Sequence, residues 1–84
     1  ADPMQEQELL AHTQLKAELA QKAIEKLSPA YRTVLNLYVM EELSHKEIAE
    51  KLGISEGTSK SNLAKAKINL QRHLKEQFIQ LDKR

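Results

Sequence analysis

The 84-residue sequence has no cysteine, which removes disulfides and cysteine-based metal sites from consideration. No apolar run approaches the length needed to span a bilayer, and no signal-peptide pattern is present, so a cytoplasmic protein is expected. Glycine and proline occur only twice each, and Gln5 to Lys26 contains neither. No stretch alternates polar and apolar residues with period two, which leaves no strand to predict. Internal repeats and low-complexity segments are lacking as well. What remains is a chain long enough for one domain with a single modest core.

Charge is balanced in sum but not in place. The net charge is +1. Residues 1–27 hold three basic and five acidic residues, and residues 28–54 three basic and four acidic. Residues 55–84 hold seven basic and three acidic residues, a net +4. Such polarity suits a partner that is anionic and met from one side.

Read in order, the chain predicts an all-α fold of four helices. Gln5 to Lys26 is rich in good helix formers, with Leu9, Leu15, Leu19, Ala23 and Leu27 as an apolar stripe that is thin at its start. This helix is expected to pack firmly only from about Leu15 onward. Ser28-Pro29 marks the next start, with serine as N-cap and proline at the first helical position, where a missing N–H costs nothing. The helix from Ala30 to about Glu41 presents Val34, Leu35, Leu37 and Tyr38 as its apolar face. Ser44 caps a third, short helix, and Glu47 three residues later completes a capping box. A long last helix is expected from Glu56 to about Gln80, with Leu63, Ala66, Leu70, Leu74 and Gln77 or Phe78 facing inward.

The chain is organised around residues 44–67, SHKEIAEKLGISEGTSKSNLAKAK. Ile48, Ala49 and Leu52 mark the inner face of the short helix. Gly53 follows where a helix stop needs a residue that tolerates positive φ, and Ile54 drops back into the core. Ala49 is small where two steeply crossing helices leave little room. Lys60, Lys65 and Lys67 then lie on the outer side of the long helix. This is a helix-turn-helix whose long C-terminal helix has the geometry of a DNA-reading element. Exposed lysines ordinarily do no more than solvate a helix face; behind this signature, DNA contact is the reading taken. Ser55, Thr58 and Ser61 serve the helix start first, and as short donors they also reach phosphate oxygens.

With the residues laid out, LSPAYRTVLNLYVMEELSHKEIAEKLGISEGTSKSNLAKAKINL, residues 27–70, resembles region 4 of a bacterial sigma factor of the extracytoplasmic-function class. The likeness lies in a leucine-proline start, an "RxVL" segment, an "LSxxEIAxxLGIS" helix and turn, and a "GTVKSRLxRAR" helix. It implies binding of the promoter −35 element, with Lys60, Ser61, Ala64 and Lys65 where the family's contacts cluster; Ser55, Thr58 and Lys67 join them as candidate DNA-binding residues from the reading of the helix itself. It also implies docking on the β flap of RNA polymerase, with Leu35, Val39, Leu43 and Ile48 as the candidate surface, though some of these four must be ordinary core under the last helix, and an anti-sigma factor as a further partner. On this resemblance residues 4–27 form a linker helix from region 2 and residues 28–84 the DNA-binding domain, so the chain would be a fragment. Ser59 departs from the pattern's valine, Asn62 from its arginine, and Lys65 and Lys67 from the arginines of "RAR". Lysine is a point donor, whereas arginine grips guanine or phosphate as a planar fork.

Ser59 is expected to bond back to the Ser55 carbonyl. Tyr31 and Tyr38 read as half-buried supports, with Tyr38 also weighed as a DNA-backbone contact. His12, His45 and His73 do not share a face at ligand spacing, so neither a metal nor another cofactor is expected, and no group has the neighbours catalysis needs. Two other functions stay open: the DNA-binding domain of a LuxR-type response regulator, which shares the "LSxxEIAxxLGIS" segment, and an interaction module using the N-terminal apolar stripe. Gly57-Thr58, the "AKAK" stretch and the long helix before Ser28 lean toward the sigma reading.

Overall fold

The computed structural model describes residues 3–82 as four helices: α1 (Pro3–Glu25), α2 (Pro29–Val39), α3 (His45–Leu52) and α4 (Glu56–Asp82). The boundaries match those expected to within about two residues. Ser28 takes the N-cap position at φ −59° and ψ 151°, with Pro29 behind it, but its hydroxyl makes no cap hydrogen bond. Proline and the backbone alone therefore start α2. At the preceding corner Arg32 reaches back to donate to the Glu25 carbonyl at 3.4 Å, placing a cation at the end of α1, where the helix dipole favours one.

The capping box of α3 is complete. Ser44 Oγ accepts from the Glu47 amide at 3.1 Å, and Glu47 Oε1 accepts from the Ser44 amide at 3.1 Å. Gly53 ends the helix at φ 69°, and the Ile54 amide returns to the Ala49 carbonyl at 3.0 Å, the bond that closes a left-handed helix stop. The α2–α3 connection reaches the same backbone region without glycine. Glu42 sits at φ 56°, and the Leu43 amide bonds to the Leu37 carbonyl at 3.0 Å. An exposed Lys51–Glu41 pair at 3.8 Å spans that connection; both ends are in water, so it adds at most about 1 kcal/mol.

Helix α4 is the spine against which the other three pack. Leu27, Val34, Leu35, Leu37, Ile48, Leu63 and Ala66 form the core, with Ile24, Tyr31, Leu43 and Leu70 packed around it. Ile48 is fully buried, and an aliphatic side chain taken out of water this way contributes about 1.5–3 kcal/mol. Leu70 and Leu74 are half-buried, Gln77 is buried, and Phe78 falls outside the described side chains.

Four expectations change. Tyr38, placed on the apolar face of α2, lies 39% exposed at the helix end, with its ring stacked on His45. Leu52, in the last turn of α3, is 37% exposed and only partly covered. Leu35 and Ile48, expected on a partner surface, are buried in this domain's own core and have no surface to offer. Helix α1 behaves as its stripe foretold: Leu9 and Leu10 are exposed, Leu15 and Leu19 half-buried, Ala23 and Leu27 buried.

Candidate nucleic-acid interface

The inward face of α4 is set by Ser59, Leu63, Ala66 and Leu70, three or four residues apart, so the residues between them are turned outward. Lys60, Ser61, Ala64, Lys65 and Lys67 are all exposed, as are Ser55 and Thr58 at the helix start. All seven candidate contact residues thus share the start and outer side of one helix. That face is polar and cationic over its first three turns, with the small Ala64 letting a flat partner approach the backbone. Glu56 in the first turn favours the helix dipole but opposes an anion there.

The two hydroxyls at the helix start divide their work. Ser55 Oγ accepts from the Thr58 amide at 3.0 Å and donates to Thr58 Oγ1 at 2.8 Å. The first makes Ser55 the N-cap of α4 through an oxygen lone pair, and the second uses the one proton its hydroxyl has. Thr58 accepts in that pair, which leaves its own proton free to donate outward. Thr58 is therefore the hydroxyl at this helix start equipped to meet a phosphate oxygen.

Ser59 contradicts the expectation made for it. Its amide, like any helical amide, takes the Ser55 carbonyl at 3.0 Å. The fully buried hydroxyl instead pairs with His45 Nδ1 at 2.8 Å. Local back-bonding loses because a part-buried ring nitrogen at the start of α3 would otherwise lack a partner. The His45 ring also stacks on Tyr38, centroids 5.0 Å apart at 21°, and Lys67 Nζ lies 5.9 Å from the Tyr38 ring centre, at the outer limit of cation–π attraction. Sequence spacing gave no sign of this group, since its members come from three helices. The one available signal was a serine at an inward position.

The remaining candidates fall elsewhere. Val39 is 54% exposed and Leu43 half-buried, with Met40 exposed beside them, so an apolar patch remains at the end of α2 without Leu35 and Ile48. A shallow depression is lined by Gln5, Glu8, Leu9 and His12; all four come from α1, and one helix face does not enclose a ligand. Among the described residues no cluster of His, Asp and Glu could hold a metal ion, and no helix is long and apolar enough to cross a membrane.

A basic outward face on the second helix of a helix-turn-helix is common to several DNA-binding families. The decision comes from comparison: the family model for sigma-70, region 4, matches residues 17–70. The chain belongs to the sigma-70 region 4 family. A search of curated proteins finds no relative that matches. The match separates the two DNA-binding families left open by the sequence, and it begins inside α1, whose second half carries Ala23 into the buried interior. This region 4 domain is accordingly a DNA-binding component of transcription initiation that works in promoter recognition with RNA polymerase.

Proposed function

We propose that this region 4 domain binds the promoter −35 element with the outer face of α4, as part of a sigma factor of the extracytoplasmic-function class acting in the cytoplasm. The observation that carries the reading is the single exposed face shared by Lys60, Ser61, Ala64 and Lys65. In it, Ser61, Ala64 and Lys65 meet base edges in the major groove, Ala64 offering an apolar contact for a thymine methyl. Thr58, Lys60 and Lys67 hold phosphates, and Ser55 acts through the cap it builds. The patch of Val39, Met40 and Leu43 docks on the polymerase β flap. A photo-crosslinking residue placed at Ala64 is expected to join to promoter DNA in the polymerase complex, and one at Lys22 is not. Crosslinking from Lys22 alone would move the DNA to the other side of the domain.

Exposed Leu9 and Leu10 on α1 favour a second, compatible reading, in which an anti-sigma protein covers that helix. Binding of such a protein should then be lost on Leu9→Glu while DNA binding persists.

A further inference from the structure

We propose that His45 and Ser59 form a polar latch that sets the orientation of α4 against α2 and α3, and through it the base preference of α4, without either residue touching DNA. The inference rests on α4 being the DNA-reading helix.

Both ends of the latch are anchored. Ser59 is fully buried on the inner face of α4, one residue before Lys60. His45 is the first residue of α3, directly behind the Ser44 cap, so its backbone is held by the capping box. The bond between them, 2.8 Å from Nδ1 to Oγ, joins residues fourteen positions apart in sequence on two helices. It is satisfied in either ring tautomer, with the hydroxyl donating or accepting. The opposite side of the arrangement is the Tyr38 ring stacked on His45, and Lys67 leans over that ring from α4. Helix α4 is thus held at position 59, and Lys67, about 12 Å further along its axis, comes only to the outer edge of cation–π range over Tyr38. Ser61, Ala64 and Lys65 lie within a turn or two of the bond at position 59.

The physical consequence follows from directionality. Apolar packing at position 59 tolerates a small roll or slide of α4, because contact area changes slowly with angle. A hydrogen bond weakens steeply when its geometry is lost, and here the alternative is a part-buried nitrogen with no partner. A rolled α4 keeps its long, adaptable lysines near phosphates but carries Ser61, Ala64 and Lys65 away from the bases they meet. The latch therefore acts on discrimination between sequences more than on affinity for DNA as such.

The test uses the 84-residue chain to select a duplex from a random pool, then measures Kd for that duplex and for a scrambled one across a salt series. His45→Phe keeps a ring against Tyr38 and removes the nitrogen; Ser59→Ala removes the hydroxyl from the other side. Each is expected to lower the ratio of selected to scrambled affinity about tenfold, the worth of one well-read base contact. Scrambled affinity, salt slope and helical circular dichroism should stay as they were. The double variant should lose no more than either single one, because all three break the same bond. An unchanged ratio, or equal weakening on both duplexes, overturns the latch; if His45→Phe does not fold, Ser59→Ala decides. Lys60→Ala separates the two levels. If it weakens DNA binding while the latch variants keep the ratio, only the latch fails. If it has no effect, or no sequence is enriched from the pool, the reading of α4 fails and the latch with it.

Discussion

Ser59→Ala leaves the His45 ring nitrogen part-buried without its 2.8 Å partner. The expected loss is about 1–2 kcal/mol in urea denaturation, the cost of stranding one polar group. A change within experimental error would mean that water replaces the hydroxyl at no cost. Glu47 makes a prediction of different kind. Its hydrogen bonds with Ser44, the backbone one foremost, hold its carboxyl below the usual carboxylate range. A carboxyl depressed by folding contributes stability in full above its unfolded pKa, and loses it as pH falls through the lower folded value. The stability gap between the unaltered chain and Glu47→Ala should therefore be widest near neutral pH and close in acid. A gap that widened on acidification would contradict the cap. At this scale the capping box was legible because it is a local pattern, three residues apart. The partner of Ser59 was not, since a serine's hydroxyl can be met from any direction and His45 arrives from another helix.

The helices were legible because their signals are also local: Pro29, the Ser44–Glu47 box and Gly53 each mark a boundary. The end of α2 carried no such mark. There Glu42 holds φ 56°, a conformation that costs a side-chain-bearing residue about 1–2 kcal/mol and glycine almost nothing. Glu42→Gly is expected to raise stability by up to about 1 kcal/mol, once the extra freedom of glycine in the unfolded chain is deducted. Thermal unfolding at constant pH measures it; a lower melting temperature would show that the Glu42 side chain makes a contact outweighing its backbone. Along α1 the thin apolar stripe correctly foretold an exposed first half and a packed second half. Tyr38 and Leu52 were misplaced for one reason. Both sit in the final turn of their helices, where periodicity continues but cover by the neighbouring helices is only partial.

For the whole molecule, placement of charge and of exposed apolar groups matters more than their totals. Val39 and Leu35 make the contrast sharp. Val39→Glu, at a largely exposed position, should alter stability by no more than about 0.5 kcal/mol and abolish binding to purified core polymerase. Leu35→Ala, in the core, should cost about 2–5 kcal/mol and fail by unfolding. Polymerase binding that survives Val39→Glu would place the docking patch elsewhere. Sequence alone could not divide these residues into surface and core, because an apolar helix face wider than its packing partner looks continuous until the partner is in place.

In the proposed function α4 meets DNA through a small cationic face. The net +4 of residues 55–84 is opposed by a net −3 over residues 1–54, so few phosphates are neutralised. About three to five such contacts give a salt slope of about −2.7 to −4.5 on logarithmic axes and an affinity of about micromolar or weaker. Tethering on polymerase then supplies the effective concentration that makes such an affinity sufficient. Fluorescence anisotropy of the isolated domain on labelled duplex DNA, repeated over a salt series, measures both quantities at once. Weak binding with that shallow slope is expected, reduced by Lys60→Ala and by Lys65→Ala and untouched by Lys22→Ala. Nanomolar binding at physiological salt that ignores Lys60 and Lys65 would contradict it.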